Sequence, residues 1–533
     1  MQERSGRAML SLSCVLSGKA RQLSLSLMLM LAHAVTACAS LPPPGPRQPS
    51  QALAEPLATA LGKRVAAVQP NPVLSGFRVV TNGADAYAVL TSLADQAQRT
   101  LDLQYYLVHN DPSTRALLQH VQSAADRGVR VRLLIDDLHT SDLDEALRRL
   151  TEHPRIEVRV YNPLPAGRFS TFTKVVSSLT DLQRINHRMH NKMFVADNAL
   201  AFTGGRNLGD EYFLFSDKAN FVDMDLLVAG PAVQQLSRSF DGYWNSTLAY
   251  PVQVLVPNAP PPEAPASAAL DAPQPVAPQV SSDATIVARE ITPGAPMRLQ
   301  WANARLLADQ PSKVSQGQAA GPDQLMFDDV AALLRSAQRE VLVISPYLVP
   351  GKPGMAIFED LRKRGVRVRL LTCGLASTDA PVVHIGYSRY RPRMLSRGIE
   401  LYELKPQIEG GQRRLGSFGQ SQARLHAKAL VVDGRYLVVG SMNLDPRSIE
   451  LNTEIGLLIN SPALAADVAR LFDDVVQHNT YRVILADNGA LQWVDSATNG
   501  GGPVREFDDE PQSSPLLRLT LKMLAPFAPE EML

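Results

Sequence analysis

The sequence predicts an α/β protein made of two copies of one unit, each a mixed, mainly parallel sheet flanked by helices. Three observations carry this. The octapeptide RGVRVRLL stands unchanged at 127–134 and 364–371, 237 residues apart. Two similar strings, RMHNKMFVADNALAFTGGRN and RLHAKALVVDGRYLVVGSMN, place His190 and His426 236 residues apart. Apolar or alternating runs of strand length are interleaved with segments of helical periodicity, the pattern of a parallel sheet covered by helices. A nearly constant offset between separate matching segments marks a duplicated unit.

Taken in order, a helical stretch Ala84–Gln98 leads into the strand Leu101–Leu107, within RTLDLQYYLV. A helix over Thr114–Arg127 and strands at Val129–Ile135, Val158–Tyr161 and Met193–Phe202 follow, with a short helix at Ala146–Leu150. In the second copy, a helix over Asp328–Gln338 precedes the matching REVLVISPYLV. Asp433-Gly434 between apolar runs predicts a hairpin turn. His426 and Lys428 then fall at period-two spacing on one face of a strand.

Length and composition set the frame. The 533 residues exceed one ordinary domain, and 45% hydrophobic content is ample for buried cores. Lys+Arg of 53 against Asp+Glu of 52 gives a net charge of +1, which argues against a general nucleic-acid binder. Residues 1–37 read as a lipoprotein-type signal peptide: Arg7, Lys19 and Arg21 precede the apolar run Leu23 to Ala37, too short for a comfortable span. The run ends in Val35-Thr36-Ala37-Cys38, which resembles a bacterial lipobox, so Cys38 is the expected lipidation site. Ala39 fits outer-membrane sorting, and the expected location is the bacterial cell envelope, anchored to the membrane and facing the periplasm.

Residues 38–72 then form a Pro-rich tether, 73–256 the first unit, 257–283 a Pro/Ala-rich linker or insertion, 284–485 the second unit, and 486–533 a tail. Within the tail, 516–527 is apolar with two cations and either contacts the membrane or packs on the domain. Of the three cysteines, Cys14 leaves with the signal, Cys38 carries lipid, and Cys373 reads as a packed strand-end residue, so no intrachain disulfide is expected.

The paired strings carry the chemistry. Each has His-x-Lys (His190, Lys192; His426, Lys428), then Asp (Asp197; Asp433), Gly (Gly204; Gly440) and Asn (Asn207; Asn443), with an Arg two residues before the His (Arg188; Arg424). Two histidines on opposite sides of one phosphorus divide the work, one attacking and one protonating the leaving oxygen. Two lysines and two asparagines supply donors for the non-bridging oxygens. No cofactor or metal is required. His187 and His190 suggest a zinc pair, but His187 has no counterpart in the second copy and no further ligand cluster supports it. His33, His139 and His384 read as ordinary histidines.

The repeated HxK(x)4D(x)6G pattern, spanning roughly 77 to 479, resembles the phospholipase D superfamily. That resemblance implies two α/β units about a pseudo-twofold axis with the histidines meeting at the interface. It implies His190 as nucleophile, His426 as acid/base, and Lys192, Lys428, Asn207 and Asn443 as the phosphate grip. Asp197 and Asp433 would support site geometry. The stretch GGRNLGDEYF and the closing LQWVDS…EPQSSPLL segment are similar to the C-type cardiolipin synthase branch. One departure stands out: Ser441 follows Gly440, whereas Gly205 follows Gly204, so the first half either uses backbone N–H donors at Gly205 or contributes less phosphate contact. Aligning the strands after each motif sets Asp225 beside Glu454 as acids expected to fix the imidazole tautomers.

Three activities compete on these residues: phosphatidyl transfer between phospholipids to give cardiolipin, hydrolysis to phosphatidic acid, and phosphodiester cleavage of nucleic acid. The membrane address favours phospholipid substrates, as does the basic and apolar stretch 168–176, which reads as a lip at the bilayer or as a connecting helix. A non-enzymatic membrane scaffold is disfavoured because both His–Lys pairs are intact.

Overall fold

A computed structural model gives the fold; it describes residues 41–45, 47–138, 143–164, 186–256, 286–314, 325–408, 421–495 and 504–528. Cys14, Cys38, His33, His139, the linker at 257–283 and the stretch 168–176 lie outside them.

The first unit contributes strands β1 (Ser75–Val80), β2 (Thr100–Tyr105), β3 (Arg130–Asp136), β4 (Ile156–Tyr161), β5 (Met193–Ala196), β6 (Leu200–Gly204), β7 (Ala219–Val222), β8 (Asp225–Ala229) and β9 (Ala249–Pro251). The second contributes β10 (Gln300–Ala308), β11 (Glu340–Ile344), β12 (Arg367–Cys373), β13 (Glu400–Leu404), β14 (Gln422–Leu425), β15 (Ala429–Val432), β16 (Tyr436–Gly440), β17 (Ile455–Asn460), β18 (Thr480–Leu485), β19 (Leu491–Asp495) and β20 (Arg505–Phe507). All but β7 and β14 join one 18-stranded sheet. Its spatial order is β9-β4-β3-β2-β5-β6-β8-β1-β10-β17-β16-β15-β11-β12-β13-β18-β19-β20. The order reads the same from either end as far as β18, and the antiparallel β1–β10 pair lies at its centre.

Each half holds three parallel strands (β2, β3, β4; β11, β12, β13) edged by antiparallel ones, so the sheet is more mixed than the sequence suggests. The reason is the hairpin. The expected strand Met193–Phe202 breaks at Asp197 and Asn198, both with positive φ, as the matching turn does at Asp433-Gly434. Two central residues with positive φ give the turn that matches the twist of a hairpin.

The repeated octapeptide has a repeated role. Arg132 of β3 is buried, pairs with Asp102 at 2.6 Å, and lies over Phe240 of the helix Pro231–Trp244. Arg369 of β12 lies over Phe472 of the helix Pro462–Asn479 and pairs with Asp473. Two outer cores cover the separate halves. A third draws Phe77, Met189, Leu236 and Phe240 from the first half together with Leu342, Leu425, Phe472 and Val475 from the second. This shared apolar layer is what keeps the halves docked.

Three boundaries differ from expectation: Val287, Ile291 and Met297, expected in the second unit, lie in the first core, and the tether and tail differ as well. Described residues of the expected tether lie on the first unit: Arg47 donates to the Ser246 and Ala249 carbonyls, and Ser50 and Ala52 donate to Asn245 and Asp241. The helix Ala60–Val68 packs Leu61 and Val65 into the first core. A Pro-rich chain is already extended, so docking it orders little that was free. The tail likewise begins as sheet, with β19 and β20 extending the second half beyond β18.

Candidate active site

Each histidine sits on a crossing between the halves. Leu425, just before His426, pairs with Val222 across the parallel β7–β14 ladder, and His426 N–H donates to the Val222 carbonyl. Met189, just before His190, bridges Thr453 in the same way, and His190 N–H donates to the Thr453 carbonyl. The residue after each partner is acidic. Glu454 therefore reaches His190 Nδ1 at 2.8 Å, and Asp223 reaches His426 Nδ1 at 2.6 Å. Each half supplies the acid for the other half's base.

Asp225 does not have the expected role. Sheet register pairs Gly204 with Asp225 and Gly440 with Gly456, which makes Asp223, not Asp225, the counterpart of Glu454. Asp225 instead holds the buried Arg206, through Nε at 2.7 Å and its backbone N–H. Both acids of Asp223-Met-Asp225 face the same side of an extended chain, so the sequence pattern alone does not separate them.

Charge states follow from burial and partners. Burial alone would raise Glu454 and Asp223, but the hydrogen-bonded histidines and nearby cations outweigh it and hold each carboxyl at about 2. Burial pulls His190 down to about 4 against the attraction of Glu454, and it lowers His426 as well. An ionised carboxylate can only accept, so each imidazole carries its proton on Nδ1 and leaves an Nε2 lone pair. Burial also lowers Lys192 and Lys428, and the Lys428 ammonium is felt at both His190 and Lys192. The charges of both halves thus act on one site. Each ammonium donates to the carbonyl of its own histidine, which leaves two N–H groups for a ligand.

The remaining expected residues divide. Asn443 is buried and its Oδ1 has no partner among the described residues. Asn207 accepts from Leu107 N–H and donates to the Tyr212 hydroxyl, which leaves one amide hydrogen. Ser441 and Gly205, expected at the phosphate, serve the acids instead. Ser441 donates its hydroxyl to Glu454 and accepts from Ile455 N–H, while Gly205 N–H donates to the Met224 carbonyl. A Cβ on Gly205 would lie 2.1 Å from Asp223 Oδ1. The Gly205/Ser441 difference therefore tracks the acids: a short Asp needs space, and a longer Glu takes a hydroxyl partner. Gly205→Ala should displace Asp223 and lower kcat about a hundredfold with the fold intact, since misplacing a catalytic group by about 1 Å costs that much. Thermal melting beside steady-state rates would check this.

Asp197 and Asp433 stand away from the histidines and accept the backbone N–H groups of Gln98, Arg99 and Thr100, and of Gln338, Arg339 and Glu340. Arg188 is buried against Asp136, whose other oxygen accepts Met189 N–H and steadies the His190 segment. Cys373 is buried with its thiol pushed up by burial, as a packing residue would be. Sequence reading missed Tyr106, edge-on to His190 at 4.8 Å, and Tyr212 and Phe221, which flank His426 at 5.3 and 5.0 Å. A cavity of about 710 Å³ lined by Phe77, Arg78, Asn82 and Leu471 holds none of the motif residues and is not this site.

The free-enzyme acid limb of kcat/KM reports the nucleophile's protonation. If His190 is the nucleophile it must be neutral to attack, so activity is then expected to hold below pH 6 and fall only as pH drops through about 4. A limb near the ordinary imidazole value of 6.5 would show that Glu454 fully offsets burial.

Paired imidazoles, crossed carboxylates and two buried ammoniums in a duplicated α/β body define a two-half enzyme of phosphoric-ester transfer. The comparisons are more specific. The family profile described as "Cardiolipin synthase, PLD-like domain" matches residues 90–244 and 330–476, one match per half. Cardiolipin synthase C of Escherichia coli K12 is 36% identical over 436 residues, covering 80% of this chain and 90% of that one. An uncharacterized Helicobacter pylori J99 protein is 30% identical over 477 residues, covering 87% and 91%. Among solved structures, the phosphatidylserine synthase of Haemophilus influenzae Rd KW20 aligns with TM-score 0.56 at 14% identity, covering 89% of this chain and all of that one. The chain belongs to the phospholipase D superfamily, as a phosphatidyltransferase of the cardiolipin synthase group. Among the described residues no helix is long and apolar enough to cross a membrane.

Proposed function

We propose that the chain makes cardiolipin, transferring a phosphatidyl group through a phosphohistidine to phosphatidylglycerol. The observation that supports this reading is the pair of Nδ1-anchored imidazoles, each held by an ionised acid of the opposite half. The His190 Nε2 lone pair attacks phosphorus while His426 gives a proton to the departing alcohol. The phosphodiester's own negative charge favours the imidazolium at His426 before that step. Lys192, Lys428, Asn443 and Asn207 carry the charge on the non-bridging oxygens. A second lipid's hydroxyl then attacks the phosphohistidine as His426 takes its proton, which frees the neutral His190 and returns His426 to the imidazolium. The 36% identity to cardiolipin synthase C supports this acceptor. Attachment through a lipidated Cys38 to the outer membrane, facing the periplasm, belongs to the same reading, and a Cys38→Ser form that stays fully membrane-bound would argue against it.

The test gives the purified chain mixed phosphatidylethanolamine and phosphatidylglycerol vesicles. Cardiolipin formation insensitive to EDTA is expected, and His190→Asn and His426→Asn should each abolish it. His426→Asn should retain an acid-labile, phosphatidyl-labelled protein that His190→Asn lacks. Phosphatidic acid alone would mark a hydrolase, cleaved plasmid with inert lipid a nuclease, and label on the opposite variant would reverse the roles.

A further inference from the structure

The C-terminal helix has two apolar faces and only one is covered. Leu517 and Leu521 pack with Ala525 and Ala528 against Leu375 and Ile385 of the second half. Leu516, Leu519, Met523 and Phe527, spaced to form a second stripe through the turn Ala525–Phe527, face outward, with Leu516 73% and Phe527 82% exposed. Among the described residues, this is where the unburied apolar surface is concentrated. Of ten large apolar side chains exposed among the described residues, six lie between Val504 and Phe527, and Val382 of the underlying helix Pro381–Ser396 is a seventh.

The helix is fixed on the catalytic edge of the sheet. Leu375 follows Cys373 at the end of β12, and Cys373 Sγ contacts the carbonyl of Leu425, the residue before His426. Asp379, just before the underlying helix, accepts the Tyr347 hydroxyl, and its charge is felt at Lys428. Arg389 ties the stripe's far end down by donating to the Ala525 and Ala528 carbonyls. Between Pro515 and Phe527 the charges are Arg518, which pairs with Asp509 and donates to the Ser513 carbonyl, and the exposed Lys522, a cation that an anionic lipid surface attracts.

We propose that the stripe Leu516–Leu519–Met523–Phe527 seats the enzyme on an anionic phospholipid bilayer beside the catalytic opening, so that lipid headgroups enter without leaving the interface. The inference rests on the phospholipid reading of the site, and its test keeps the two separable. In the full chain carrying Cys14→Ser and Cys38→Ser, an NBD fluorophore is placed at Leu519→Cys or, as a control on the opposite end of the chain, at Leu57→Cys. Vesicles of phosphatidylglycerol and phosphatidylethanolamine should blue-shift the first and leave the second unchanged, and doxyl-labelled lipid should quench only the first. The double variant Leu516→Glu/Phe527→Glu, in the otherwise native chain, should lose at least tenfold in turnover on vesicles. It should match wild type on monomeric short-chain phosphatidylglycerol, which also shows that it folds. An NBD signal indifferent to vesicles would overturn the proposal, as would a shift that grows with protein concentration in vesicle-free buffer, the mark of two copies pairing. If no phospholipid is turned over in any form, the reaction assignment falls while the fluorescence still decides the docking.

Discussion

Asp223→Asn is expected to fold normally and lose about ten-thousand-fold in kcat, the scale seen when a tautomer-fixing Asp is amidated in a Ser-His-Asp triad. The carboxylate at 2.6 Å from His426 Nδ1 does two things. It keeps the ring proton on Nδ1, and in the proposed mechanism it stabilises the imidazolium that forms when a hydroxyl gives up its proton. An amide has the same volume, so the space left by Gly205 still fits it, but it lacks the charge. Glu454→Gln should fall by a similar factor through His190. Asp225→Asn is the control two residues away. It leaves Arg206 buried and unpaired, a change that costs about 3–5 kcal/mol of stability. Its signature is a lower Tm with near-normal kcat per folded molecule, read by calorimetry beside a transfer assay. If Asp225→Asn instead lost kcat at an unchanged Tm, the assignment by sheet register would be wrong.

That prediction marks where sequence reading reached and where it stopped. Duplication, the α/β class and the paired histidines were legible because the repeats keep nearly constant spacing and the motifs sit in short, periodic segments. Glu454 was legible too, as the acid before an apolar strand. Asp223 was not, because the segments joining Gly204 to Asp223 and Gly440 to Glu454 differ in length, and only the pairing of Gly204 with Asp225 fixes the register. Likewise the Gly205/Ser441 difference was visible, but its cause is a distance across chains: the approach of Asp223 to Gly205 cannot be read along the chain. The crossing of acids between halves was hidden for the same reason. His426 and Lys428 also lie in the connection between β14 and β15, not within a strand. The tether boundary failed because the Pro-rich run ends before the helix Ala60–Val68, whose Leu61 and Val65 enter the first core, and the tail boundary failed because Trp493 of β19 enters a core of the second half.

Asp197→Ala should destabilise the fold by about 4 kcal/mol while leaving kcat per folded molecule within a few-fold, because it strips the acceptor from three N–H groups, that of Thr100 buried and those of Gln98 and Arg99 partly so, at roughly 1–3 kcal/mol each. The side chain is fully buried and takes Gln98, Arg99 and Thr100 N–H at 2.7–3.0 Å, pinning the β5–β6 turn to the start of β2. Its φ of 55° adds to the cost, since Asp and Asn tolerate the left-handed region better than Ala. Asp197→Asn keeps one acceptor oxygen and should lose about half as much. Asp433→Ala should lose less than Asp197→Ala, because Asp433 is only half-buried and its Glu340 partner is half-buried where Thr100 is buried, so water can replace the carboxylate more readily. Urea denaturation with activity measured on the folded fraction separates these cases. A kcat loss without a stability loss would place Asp197 at the substrate; the expected pattern makes the Asp of each motif the clamp that holds a hairpin, and so a histidine and lysine, against the parallel strands.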